Sequence, residues 1–241
     1  MKLHLYSDLN LRYLQHSDPV DEVVPAETDL IVVAGSISSD PKRSLLFQET
    51  LKNNNKPVII NLGLGDGILG AYQDTINATQ IRYATLTKLN CHYSNTTNLI
   101  VNGLDVLNYV GWRHIATEEE YVESNLQRQF VSRVRYGEFQ YNAKNQVIGY
   151  VGKDNYTLEQ YTELVYKPEW ARLEKWLATD NELPKLLVTG ADARTVLKDQ
   201  NIAGVTVCTV GSEYLDCEFN GGRLLCNPGS GVEARSRLFD I

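Results

Sequence analysis

Eight short apolar runs punctuate the chain: KLHLYS (2–7), DLIVVAG (29–35), KPVIINLG (56–63), LDVLNYVGW (104–112), PKLLVTG (184–190), GVTVCTVG (204–211), YLDCEF (214–219) and GRLLCNP (222–228). Most end in Gly or Ser. They are apolar throughout rather than alternating, and helical segments separate several of them. That pattern predicts strands buried on both faces in an α/β arrangement.

Periodicity of about four marks the helices. In SSDPKRSLLFQETLKNNNK, Asp40 is placed as an N-cap and Pro41 as the first helical residue, with Phe47 and Leu51 on one face. PEWARLEKWLATD predicts a helix that begins at Pro168 and turns Trp170, Leu173 and Leu177 toward a core. Glu118, Glu119 and Glu120 form an acidic helix start. Asn220-Gly221, between two apolar runs, is the strongest short-range signal of a hairpin. Residues 116–166 differ in style from the rest, with an Arg-rich stretch (LQRQFVSRVRYGEFQY) followed by a Tyr-rich one, and are read as a variable region inside a single domain spanning 1–241.

Composition narrows the function. A 241-residue chain that is 43% apolar and 22% charged can bury one sizeable core. Its net charge of −7 argues against a broad grip on nucleic acid or on an anionic membrane. No apolar run is long enough to span a membrane and no secretory signal is seen, so a cytoplasmic protein is expected. Cys91, Cys208, Cys217 and Cys226 lack the short spacing of zinc ligand pairs and are read as buried free thiols.

Candidate chemistry gathers where strands end. The stretches are Asp8-Leu9-Asn10, Gly35-Ser36, Gly63-Leu64-Gly65-Asp66, Gly190-Ala191 after VT, and VGSEYLD before the tail DCEFNGGRLLCNPGSG. In order and over nearly the whole chain, these resemble the calcineurin-like metallophosphoesterase family. The resemblance implies a β-sandwich flanked by helices, with a dinuclear metal site on strand-end loops built from motifs of the form D-x-H, G-D, G-N-H-[DE], a histidine after V-T, and G-H-x-H.

Set against those motifs, Asp8 keeps a ligand type while Asn10 replaces a histidine and Ser36 replaces the bridging aspartate. Leu64 and Gly65 stand where an asparagine ligand and the catalytic histidine belong, Asp66 keeps a terminal acid, and Gly190 and Ala191 replace consecutive histidines. In the last motif an ungapped count back from Asp216 puts Val210 and Ser212 at the histidine positions, and anchoring on Gly211 puts Ser212 and Tyr214 there. Neither supplies a histidine.

Two divalent cations ~4 Å apart repel by roughly 17 kcal/mol at an effective dielectric of ~20, so such a site needs bridging anionic ligands, which Ser36 is not. A single Mg2+ or Mn2+ at Asp8 and Asn10 would be a weak site. The chain's four histidines, His4, His16, His92 and His114, do not follow a Gly-bounded strand end as ligands would; His114 alone lies near a strand's C-terminal end. No G-x-S-x-G elbow is present, and the glycines of LGLGDGILG give a weak phosphate-loop signal.

The expected function is therefore a catalytically inactive member of that fold that binds a protein partner or its own copy, as the retromer subunit with this fold serves as a scaffold. Partner contact is placed on the former site face or on Arg128, Arg133, Arg135, Tyr136 and His114, where arginines interleave with Phe130, Phe139 and Tyr141. Two alternatives stand beside it. One is a module that binds a nucleotide or phosphate without hydrolysing it; the other is a phosphoesterase rebuilt on Asp8, Asn10, Asp66, Asp192 or Glu213.

Overall fold

The computed structural model describes residues 1–9, 24–35, 37, 47, 51, 55–61, 99–121, 157–163, 166–228 and 237–241 in full, and 91–93, 122–123, 137–141, 147–152 and 164–165 as backbone. All eight apolar runs contain strands: β1 (Lys2–Ser7), β2 (Leu30–Ala34), β3 (Val58–Ile60), β6 (Leu104–Tyr109), β9 (Lys185–Thr189), β10 (Val205–Cys208), β11 (Leu215–Phe219) and β12 (Gly222–Cys226). Five further strands are β4 (Cys91–Tyr93), β5 (Leu99–Val101), β7 (Gly137–Tyr141), β8 (Val147–Gly152) and β13 (Phe239–Asp240).

The strands form a five-stranded sheet, β13-β1-β2-β3-β4, and a six-stranded sheet, β11-β12-β10-β9-β6-β5, while β7 and β8 pair with each other in the variable region. β1 to β4 run parallel, as do β6, β9, β10 and β12, and antiparallel strands sit only at the edges. Parallel strands need cover on both faces, which explains why their residues read as continuous apolar runs. Leu3, Leu5, Val32 and Ile59 of one sheet meet Val106, Leu186, Val188 and Leu225 of the other in a shared core. Phe47 and Leu51, both helical and buried, cover the outer face of the first sheet, and Asp40 and Pro41 lie outside the described residues.

The outer face of the second sheet is covered by α3 (Lys167–Ala178) and α4 (Ala193–Val196). Here the helix differs from expectation. The helical run starts ten residues before Pro168, at α2 (Leu158–Tyr161), where Thr157 and Gln160 form a capping box, and it continues through one π-helical turn, Thr162–Tyr166. Lys167 N–H donates to Thr162 O across that wider turn, which gives the proline ring room to stay inside a helix. The buried residues of α3 are Leu173 and Trp176, with Trp170 and Leu177 packed only at the margin, because the stripe drifts one position from the expected register. α1 (Glu118–Glu123) carries the three glutamates in its first turn, as expected.

The hairpin is as the sequence predicts. Asn220 and Gly221 both have positive φ, 48° and 81°, the type I′ geometry that matches strand twist. Cys208 and Cys226 are buried free thiols, but Cys217 is exposed, since edge strand β11 turns that face to solvent. Among the described residues no helix is long and apolar enough to cross a membrane.

Candidate functional site

Parallel strands deliver their following loops to one edge, so the ends of β1, β2, β3, β6, β9 and β10 meet there. Asp8 leaves β1 with a φ of 50°, its N–H donating to Ala34 O at 2.8 Å. Asp is one of the few side chains that tolerate this left-handed turn.

Behind Asp8, buried polar groups stitch the two sheets. The Asn61 amide donates to Tyr109 O at 2.9 Å and Val188 O at 2.7 Å, and Asn108 donates back to Ile60 O at 3.2 Å. Ser7 Oγ donates to Thr209 O and accepts from Asn227 N–H, while Asn227 Nδ2 donates to Leu5 O. Thr209 Oγ1 donates to Ala191 O and accepts from Ala193 N–H. These amides and hydroxyls donate to backbone carbonyls at the ends of the ladders, where Tyr109 O accepts from Gly190 N–H as well. They were not singled out from sequence, although an Asn closing an otherwise apolar run, as in VIIN, was a signal.

Over this seam the loop side chains are apolar and close. Gly35 has a φ of 84°, and a β-carbon there would come within 2.2 Å of Val210 Cγ1. Gly111, with a φ of 92°, would likewise bring a β-carbon within 2.4 Å of Ala191 Cβ. Of the two placements of the last motif, the ungapped one is therefore the one whose side chain reaches the second motif, because Val210 rests on Gly35. Ser212 is exposed, and Tyr214 stacks on Phe239 beneath Arg237. Gly190 is buried, its N–H donating to Tyr109 O.

Two of the acids considered for a rebuilt centre, Asp192 and Glu213, are held by one cation. Arg194 pairs with Asp192 at 3.0 Å and with Glu213 at 2.5 Å, tying the loop after β9 to the loop after β10. These carboxylates keep the guanidinium firmly protonated. Among the described residues no group of three His, Cys, Asp or Glu side chains is placed to hold a metal ion. Asn10, Ser36, Leu64, Gly65, Asp66, His16, Arg128, Arg133, Arg135, Tyr136 and Phe130 lie outside the described residues, and Phe139, Tyr141 and His92 are described only as strand backbone.

His4 is buried in β1, its ring facing Arg237 O at 3.0 Å, and burial lowers its pKa. His114 is exposed, with its ring edge against Tyr166, centroids 5.5 Å apart. It lines a cleft of about 680 Å3 on the helix side of the second sheet, together with Arg113, Trp170, Arg194 and Lys198.

Beneath that cleft, Glu169 and Arg172 form a largely buried ion pair at 3.2 Å, and Arg172 also donates to Asn108 O. Burial raises the Glu169 carboxyl to about 7, outweighing the attraction of Arg172.

No protein-family model matches the chain, and no curated protein matches it. Among solved structures the chain is similar to the phosphopantetheinyl hydrolase PptH from Mycobacterium tuberculosis, at a TM-score of 0.57 and 11% identity over 94% of this chain and 88% of that one. At that identity the likeness is one of fold. It supports a mixed α/β, metallophosphoesterase-like architecture for nearly the whole chain.

Proposed function

We propose that this chain is a catalytically inactive protein on a metallophosphoesterase-like fold, acting by binding a protein partner or a second copy of itself. The observation that carries the reading is the contact of Val210 with Gly35. In the resemblance these two positions belong to a histidine ligand and to the loop of the bridging aspartate. An isopropyl group there offers a cation nothing, and it takes up space beside Asp8 that a ligand side chain would otherwise enter. The Arg194 bridge supports the same reading, since Asp192 and Glu213 neutralise a fixed guanidinium instead of a metal ion.

Titrating metal-stripped protein with Mn2+ by calorimetry, alongside an assay of a chromogenic phosphodiester, tests it. The expected result is at most one weak binding event and no metal-dependent turnover. Two tight equivalents per chain, with turnover lost in Asp8→Ala, would overturn it and return the chain to the hydrolases.

A further inference from the structure

The cleft over the second sheet adjoins the strand-end loops, sharing Arg194 with them, and its walls are held by hydrogen bonds. Its volume of about 680 Å3 lies within the range of small-molecule sites. On one side Arg113 and His114 stand between two buried anchors, Trp112 and Ile115. Tyr109 O–H donates to Trp112 O at 2.6 Å and Tyr161 O–H donates to Arg113 O at 2.7 Å. Burial pushes both phenols far above their usual range, so both stay donors. Two consecutive carbonyls are thereby fixed, and Arg113 and His114 are displayed on a loop that has little freedom left to lose.

The opposite wall is pinned by a different element. Asn220, in the hairpin turn, donates to Leu197 O at 2.9 Å and Lys198 O at 3.0 Å, which sets the chain that carries Lys198. Between the walls α3 supplies an aromatic shelf. Tyr166 and Trp170, one helical turn apart, stack with centroids 5.7 Å apart and planes 27° from parallel, and the indole N–H is occupied by Glu174. With the His114 ring against Tyr166 and the indole N–H in use, a ligand would meet the Trp170 ring rather than its N–H.

The cationic groups are held loosely where they matter. Arg113 lies 4.0 Å from Glu120 and Lys198 lies 3.9 Å from Asp199, both beyond hydrogen-bond distance. A phosphate that hydrogen-bonds these donors directly gains more than those distant carboxylates do. Arg194, the third cation of the lining, is already engaged by Asp192 and Glu213, so Arg113, Lys198 and the His114 imidazole are the groups with donors to offer, in a protein whose net charge is −7.

We infer that this cleft binds a nucleoside monophosphate or a close relative, its planar base laid on the Tyr166–Trp170 shelf and its phosphate held by Arg113, Lys198 and His114. A shelf with no phosphate grip would suit a neutral ring, and a grip with no shelf would suit inorganic phosphate. Here both are present on walls already fixed, which lowers the ordering cost of binding. This grip calls on no metal ion.

The test is calorimetric titration of the full chain with AMP in a chelator-containing buffer, with adenosine and inorganic phosphate as separate probes. AMP is expected to bind at one equivalent, more tightly than either fragment. Arg113→Gln and Lys198→Gln, both surface changes, should each weaken AMP and phosphate by about tenfold and leave adenosine unchanged. Trp170→Leu should weaken AMP and adenosine, with Trp170→Phe restoring both, so that loss of stacking is separated from damage to the helix. Absence of AMP binding into the millimolar range would overturn the inference. So would AMP binding no tighter than phosphate, or AMP binding that the cleft variants leave intact and Asp8→Asn removes, since the ligand would then sit at the strand ends.

Discussion

The strand-end seam and the cleft over the second sheet both gather polar side chains, and they spend them differently. In the seam, Asn61, Asn108, Ser7, Thr209 and Asn227 turn inward and use their donors on backbone carbonyls, while Val210 and Ala191 close over Gly35 and Gly111. In the cleft the inward-facing groups are tyrosines and an asparagine that fix the backbone, and the charged side chains are left facing solvent. The seam's N–H and O–H donors are thus used by the fold, whereas those of Arg113 and Lys198 in the cleft are not drawn into it.

The largest effect that would test this contrast is at Asn61. Replacing it with Leu removes two buried hydrogen bonds, leaving Tyr109 O with the Gly190 N–H alone, and should cost about 3 kcal/mol in urea-induced unfolding, with little effect on a ligand in the cleft. Gly35→Ala comes next. Its β-carbon collides with Val210 and its φ is unfavourable, so a loss of about 2 to 3 kcal/mol is expected. Val210→Ala in the same chain should recover the steric part and leave the backbone part, a coupling that a double-mutant cycle reads directly.

The ion pair under the cleft gives a pH signature. Glu169 holds its proton more tightly when folded than when unfolded, so its contribution is fully present below about pH 4.5 and is lost as pH rises toward about 7. Unfolding free energies from urea titrations at pH 5 and pH 8 should differ by on the order of 2 kcal/mol through this group, and Glu169→Gln should flatten that slope. The smallest effect is expected at Arg194→Met. Its partners are exposed, so the thermal midpoint should move by less than about 2 °C. A larger drop would mean that the Arg194 bridge, and not the buried amides, holds the β9 and β10 loops together.

The apolar runs made the strands of the buried parallel core legible, because a strand covered on both faces reads as a nearly continuous apolar run even where, as in β1 and β6, a few buried polar residues interrupt it. The edge strands β4, β5 and β13 are not among the eight apolar runs, since pairing on one side asks little of composition. The start of the long helix was misplaced at Pro168 although Thr157 and Gln160 spell a capping box, because a proline inside a helix reads as its beginning until the π-helical turn before it is seen.

The site divides along the same line. The residue types at the strand ends, Asp8, Asn10, Ser36, Gly190 and Ala191, could be read from the sequence alone, because the donor atoms a side chain carries are fixed by its identity. Where Val210 falls, which acids Arg194 occupies, and that Arg113, Trp170 and Lys198 share one cleft could not. They lie on three separate stretches of chain, and only the packing of α3 and α4 against the second sheet brings them together. Chemical capacity is carried by side chains one at a time, but proximity is a property of the folded backbone.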